Sequence, residues 1–186
     1  MGKRIEVSLG FLAMICLLAW YDWKLCVCFL IGLLFHETGH TLVMALLKVP
    51  ITGISFRISG AVIHAGTCSY RQEILCAAAG PAVSLLMALI GCRLNTLYGA
   101  VNGLLFAVNM LPLYPLDGGR ILKAALLLRM EEEKALHILS QVTFLICCLM
   151  MMLACWVTAE LQAGIWPVFA VLVLLIRVGN AGWKEK

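Results

Sequence analysis

The sequence predicts an all-α polytopic membrane protein: six transmembrane helices, with a short β-like membrane-associated segment after the second. Three observations carry this. Of the 186 residues, 63% are hydrophobic and 13% charged, and the mean hydropathy is +1.00; the surface of a soluble domain needs far more charge. A bilayer span takes roughly 20 apolar residues as a helix, and charges and turn residues divide the chain into six such stretches. The basic residues, finally, gather in alternate loops.

The expected spans are Ile5 to Tyr21, Leu25 to Leu47, Glu73 to Cys92, Thr96 to Tyr114, Ile138 to Thr158 and Ala163 to Val178. Lys3 and Arg4 precede the first as they would a secretory signal, but no small-residue cleavage site follows, so an uncleaved span is expected. After the second comes "VPITGISFRISGAVIHAGTCSY", Val49 to Tyr70, whose β-branched residues, alternation and glycines predict short strands. That segment is either a surface loop or a strand edge near the cytoplasmic face that accepts an extended peptide. The third span contains "AAAGPAVS", Ala77 to Ser84, where small residues allow close helix approach and Pro81 removes one backbone hydrogen bond. Pro112 and Pro115 interrupt the fourth. Glu131 to Glu133, with Lys134, form a solvated face before the fifth; His137 is interfacial and His64 a solvated loop residue.

Twelve of the fourteen basic residues fall on one side of this layout, leaving Lys24 and Arg93 for the other, so both termini are expected in the cytoplasm. The net charge of +4 is explained by topology, and nucleic-acid binding has no support. Most of the nine cysteines sit inside the spans with no CxxC pair, where a thiol serves as a small apolar residue. With no long linker or soluble extramembrane segment, residues 1–186 are expected to form a single membrane-embedded domain.

The chemistry is concentrated in the second span. An ionisable side chain at membrane depth costs at least a few kcal/mol and points to function, and "HETGH" brings three within five residues. His36 and His40, one helical turn apart, can direct both rings at one metal ion, with Glu37 at the next angular position. In an HExxH helix the imidazoles hold zinc, the ion lowers the pKa of water, and the glutamate acts as base rather than ligand. Catalytic zinc usually has a third protein ligand. Asp22, Glu6, Glu160 and Glu185 lie at span ends or in the tail, Glu73 begins the third span, and Glu131 to Glu133 are solvated, which leaves Asp117 in "NMLPLYPLDGGR". Broken backbone at membrane depth survives only when buried or lining a wet cavity, so the proline-rich segment should face a site. A P-x-x-P-x-D-G turn leaving the membrane is the simpler alternative for it. His40 precedes Lys48 by eight residues, about 12 Å of helix, so the metal lies toward the cytoplasmic side.

HETGH in an early span and N-x-x-P-x-x-P-L-D-G, Asn109 to Gly118, in a later one resemble the site-2 protease family of intramembrane zinc metalloproteases. "AGPAVS" is similar to that family's A-G-P-x-x-N segment, with Ser84 where asparagine is common. The likeness runs from about Ile5 to Leu122. It implies His36, His40 and Asp117 as ligands of one zinc ion, Glu37 as general base, Asn109 as a substrate-orienting group, and a membrane-associated strand segment after span two. The compact layout, with neither the PDZ insert nor the CBS domain of many members, is most similar to the stage IV sporulation protein FB branch. That branch implies regulated intramembrane proteolysis of a pro-sigma factor at a bacterial cell membrane during sporulation, with inhibitory membrane partners.

Two other classes compete. A transmembrane metal transporter would need ligands relayed along a path, and carboxylates are nearly absent from the other spans. An inactive substrate-binding relative would have no use for the proton acceptor Glu37.

Overall fold

The computed structural model describes residues 4–57, 60–66, 68–160 and 165–182. Lys3, Lys184 and Lys186, on which the expected cytoplasmic ends rest in part, lie outside the described residues, as do Ala163 at the start of the sixth expected span and the side chain of His64. The chain forms two compact units, Met1–Met110 and Leu111–Lys186.

The first unit begins with a strand, β1 (Arg4–Val7), followed by helices α1 (Leu9–Tyr21) and α2 (Trp23–Leu46). Strands β2 (Ile51–Arg57) and β3 (Gly60–Ala65) come next, then α3 (Tyr70–Leu94) and α4 (Thr96–Asn109). The sheet order is β1-β2-β3: β1 runs parallel to β2 with Arg4 opposite Gly53 and Val7 opposite Phe56, and β3 runs antiparallel, with Ile54 opposite Ile63. Where the sequence predicts one helix from Ile5, residues 4–7 are instead strand. Arg4-Ile5-Glu6-Val7 alternates charged and apolar residues, a pattern that suits a strand, and pairing with a segment some fifty residues away holds it extended.

Local chemistry sets the helix ends. The Ser8 hydroxyl accepts from the Phe11 amide at 3.2 Å to start α1. Asp22 accepts from the amides of Lys24 at 2.8 Å and Leu25 at 3.3 Å, placing a carboxylate at the positive end of α2. At the other end of α2, Lys48 takes a positive φ of 55° while the Val49 amide donates to the Met44 carbonyl at 2.9 Å. This is a left-handed exit of the kind that usually falls to glycine.

Ser69 and Gln72 form a capping box at the start of α3, and the Gln72 amide also donates to the Leu47 carbonyl at 3.3 Å. The same residue thereby begins α3 and ties it to the end of α2. Just beyond, Met44, Val49 and Cys76 pack as a buried cluster. Deeper along the pair, a Cβ at Gly39 would lie 2.8 Å from the Ala79 carbonyl oxygen and 2.9 Å from Val83 Cγ2, so glycine permits this close crossing. Within lipid, apolar burial brings little hydrophobic gain, and such close backbone packing is what associates helices.

The second unit contains α5 (Asp117–Leu127), α6 (Glu132–Glu160) and α7 (Trp166–Gly182); α5 packs on α6 and α6 on α7. Residues 111–116 turn ahead of α5, with a cis Tyr114–Pro115 bond. A Cβ at Gly119 would collide with the Leu113 and Tyr114 backbone, so the glycine lets this turn lie against the first turn of α5. Lys123, a helical turn further on, sits over the Tyr114 ring at 4.8 Å. Glu131 and Lys134 pair at 3.0 Å in solvent, and His137 shares a contact of 3.1 Å with Gln141 at the exposed start of α6.

Among the described residues, three helices are long and apolar enough to cross a membrane: Trp23–Leu46, Tyr70–Leu94 and Glu132–Glu160. On the last, Phe144 is 72% and Met152 68% exposed, an apolar surface suited to lipid and unsuited to water. The other expected spans correspond to shorter helices. At 1.5 Å per residue, the 13 residues of α1 cover roughly 20 Å.

Candidate metal centre

His36 and His40 lie one turn apart on α2, on the face that crosses α3, and are 3% and 4% exposed. Their ring centroids are 4.8 Å apart and nearly perpendicular, and the two Nε2 atoms approach to 3.1 Å. Three residues of α3 spaced by four receive them. The Cys76 carbonyl lies 2.7 Å from His40 Nδ1, the Ser84 hydroxyl lies 2.8 Å from His36 Nδ1, and Gly80 lies between. A Cβ at Gly80 would collide with His40 Nε2 and come within 2.8 Å of His36 Nε2. The absence of that atom lets both rings rest against the helix.

The hydrogen bonds decide which nitrogens are available. A backbone carbonyl only accepts, so His40 Nδ1 carries hydrogen and, in the neutral ring, Nε2 keeps its lone pair. His36 takes the same form when its Nδ1–H donates to the Ser84 oxygen. Two lone pairs facing each other across 3.1 Å repel, and a cation between them reverses the sign. Nitrogens about 2.0–2.1 Å from one tetrahedral zinc ion are roughly 3.3 Å apart, so the pair fits two corners of such a site. Outer-nitrogen hydrogen bonds of this sort are the usual support of metal-binding histidines.

Glu37 is half-buried and follows His36 directly on α2. Asp117 belongs to the second unit, where it is the first residue of α5, 6% exposed, and is paired with Arg120 Nη1 at 3.3 Å. Asn109 closes α4, half-buried, and its amide donates to the Leu105 carbonyl of its own helix at 2.9 Å. Within the first unit the structure thus gathers His36 and His40, and adds Cys76, Gly80 and Ser84, which the motif alone does not assign. Small residues repeating along α3 were the available signal for Gly80. The Cys76 contribution, made through a main-chain oxygen, leaves no trace in side-chain identity.

Residues 92–150 match Peptidase family M50. Stage IV sporulation protein FB of Bacillus subtilis is 27% identical over 166 residues, covering 81% of this chain and 57% of the relative. Zinc metalloprotease MJ0392 of Methanocaldococcus jannaschii is 28% identical over 109 residues, covering 52% of this chain and 32% of the relative. The chain therefore spans a little over half of one curated relative's length and about a third of the other's. The site-2 protease structure from Methanocaldococcus jannaschii superposes with a TM-score of 0.72 at 23% identity, covering 97% of this chain and 91% of that one, and shows a shared fold. Zinc is the metal that this kinship implies, in agreement with the donor set at His36 and His40.

Proposed function

We propose, from the match of residues 92–150 to Peptidase family M50 and the likeness to stage IV sporulation protein FB, that the chain is an intramembrane zinc metalloendopeptidase of the site-2 protease type, residues 1–186 forming its membrane-embedded catalytic domain. The observation that carries this is the His36–His40 pair, buried, with the two Nε2 atoms 3.1 Å apart and the outer nitrogens held by α3.

His36 and His40 would hold the zinc ion through their imidazoles and Asp117 through its carboxylate. Bound there, zinc would polarise the scissile carbonyl and make water nucleophilic near neutral pH. The Glu37 carboxylate accepts the proton of the attacking water and delivers it to the departing amine. Asn109 orients the substrate backbone. The substrate, a membrane-associated protein, must first unwind to expose its carbonyls. The outer edge of β3, unpaired among the described residues, supports docking of the unwound segment as an added strand. The topology proposed has six spans with both termini cytoplasmic in a bacterial cell membrane, three of them the long apolar helices α2, α3 and α6. A pro-sigma factor processed during sporulation is the proposed substrate, with inhibitory membrane proteins as regulators.

Co-expression with candidate membrane substrates tests the assignment, comparing the parent chain with Asp117→Asn. An amide oxygen is a far poorer zinc ligand than a carboxylate, so the variant should insert into the membrane, purify with much less zinc and cleave at least about 100-fold more slowly. Equal zinc content in parent and variant would cost Asp117 its role as a ligand.

A further inference from the structure

We propose that Ser84 is a positioning residue of the metal centre: its hydroxyl holds His36 in the tautomer, and at the ring angle, that present Nε2 to the metal. The inference rests on the metalloprotease reading above.

Three observations support it. Ser84 is 0% exposed, in the interior of α3, and its oxygen lies 2.8 Å from His36 Nδ1. A buried hydroxyl has a cost unless it is hydrogen-bonded, and alanine is the better helix former, so the fold alone gives no reason for serine. The two rings are also anchored differently. His40 faces a carbonyl that can only accept, which fixes its tautomer, whereas His36 faces a group able to donate or accept.

This difference has an energetic consequence. Without an acceptor at Nδ1, His36 can place its hydrogen on Nε2, which faces the Nε2 lone pair of His40 across 3.1 Å. The rings then hydrogen-bond to each other, and that contact competes with a metal for the same two atoms. When the Ser84 oxygen accepts from Nδ1–H, as the proposed role requires, both Nε2 lone pairs stay available. Cys76, Gly80 and Ser84 therefore act as one stripe of α3: an acceptor for one ring, clearance for both, and an acceptor for the other.

The test is zinc affinity of the purified full-length chain in detergent, by competition with a chromophoric chelator, alongside the visible spectrum of the cobalt-loaded protein. Ser84→Ala should bind zinc about 10- to 100-fold more weakly, the range typical for loss of an outer partner of a metal-bound histidine, and should shift the cobalt bands. Its metal-free form should stay folded, losing only the small stability of one buried hydrogen bond. Ser84→Thr or Ser84→Asn, each keeping a hydrogen-bonding group, should recover most of the affinity. Affinity in Ser84→Ala within about twofold of the parent, or no recovery in either conservative variant, would overturn the role. A parent chain that binds no zinc would overturn the metalloprotease reading too, so the two failures are distinguishable.

Discussion

Replacing Gly80 with alanine is expected to strip the protein of zinc while leaving α3 helical. The added methyl carbon would collide with His40 Nε2 and stand 2.5 Å from His40 Cε1 and 2.8 Å from His36 Nε2. Aromatic ring atoms that close cannot be tolerated, so one ring or both must swing away. Any swing large enough to relieve the contact strains the bonds to the Cys76 carbonyl or the Ser84 hydroxyl and separates the two ligand nitrogens. The loss should exceed the roughly 10- to 100-fold in metal affinity that removing an outer hydrogen-bond partner brings. The backbone works in the opposite direction, since alanine favours a helix interior over glycine by about 1 kcal/mol. That gain offsets part of the roughly 1–3 kcal/mol that overpacking costs, so the variant should fold. Chelator competition on the purified variant measures the effect; zinc affinity close to the parent's would mean that the rings do not rest on Gly80 when metal is bound.

Glu37→Gln separates chemistry from metal binding. Glutamine preserves shape and polarity but cannot accept the proton of water, so cleavage should fall by about 10²–10⁴-fold, equivalent to roughly 3–5 kcal/mol of transition-state stabilisation. Glu37 is not assigned as a ligand, and its neighbours His36 and His40 keep their α3 partners in the variant. Zinc content should therefore stay at the parent's level. Substrate cleavage and metal content measured on the same preparation give both readouts, and full activity in Glu37→Gln would remove the proposed role of the base.

Particular residues show why some of this could be read from the sequence and some could not. The HETGH pair stands out because ionisable side chains are costly in an apolar run, and the i, i+4 spacing alone places both rings on one face. The structure then buries both rings against α3. The α3 stripe is hidden for two reasons. Gly80 acts through the absence of a Cβ, and Cys76 through a main-chain oxygen common to every residue. Strand β1 depends on pairing with β2, a distant contact that Ile5 and Val7 cannot reveal locally. The turn that ends α4 before Pro112 was signalled by its prolines. Helix α5 was not, because "DGGR" suggests a loop; its glycines are instead buried in the first turn of a helix.

X-ray absorption at the zinc edge of the purified protein identifies the atoms that hold the metal. Nine cysteines offer an alternative set of ligands, and zinc–sulfur distances of about 2.3 Å separate cleanly from zinc–nitrogen and zinc–oxygen distances of about 2.0–2.2 Å. One zinc ion with a nitrogen and oxygen shell, the outer scattering of two imidazoles and no sulfur is expected. A sulfur shell, or imidazole scattering that persists when both His36 and His40 are replaced by alanine, would contradict it.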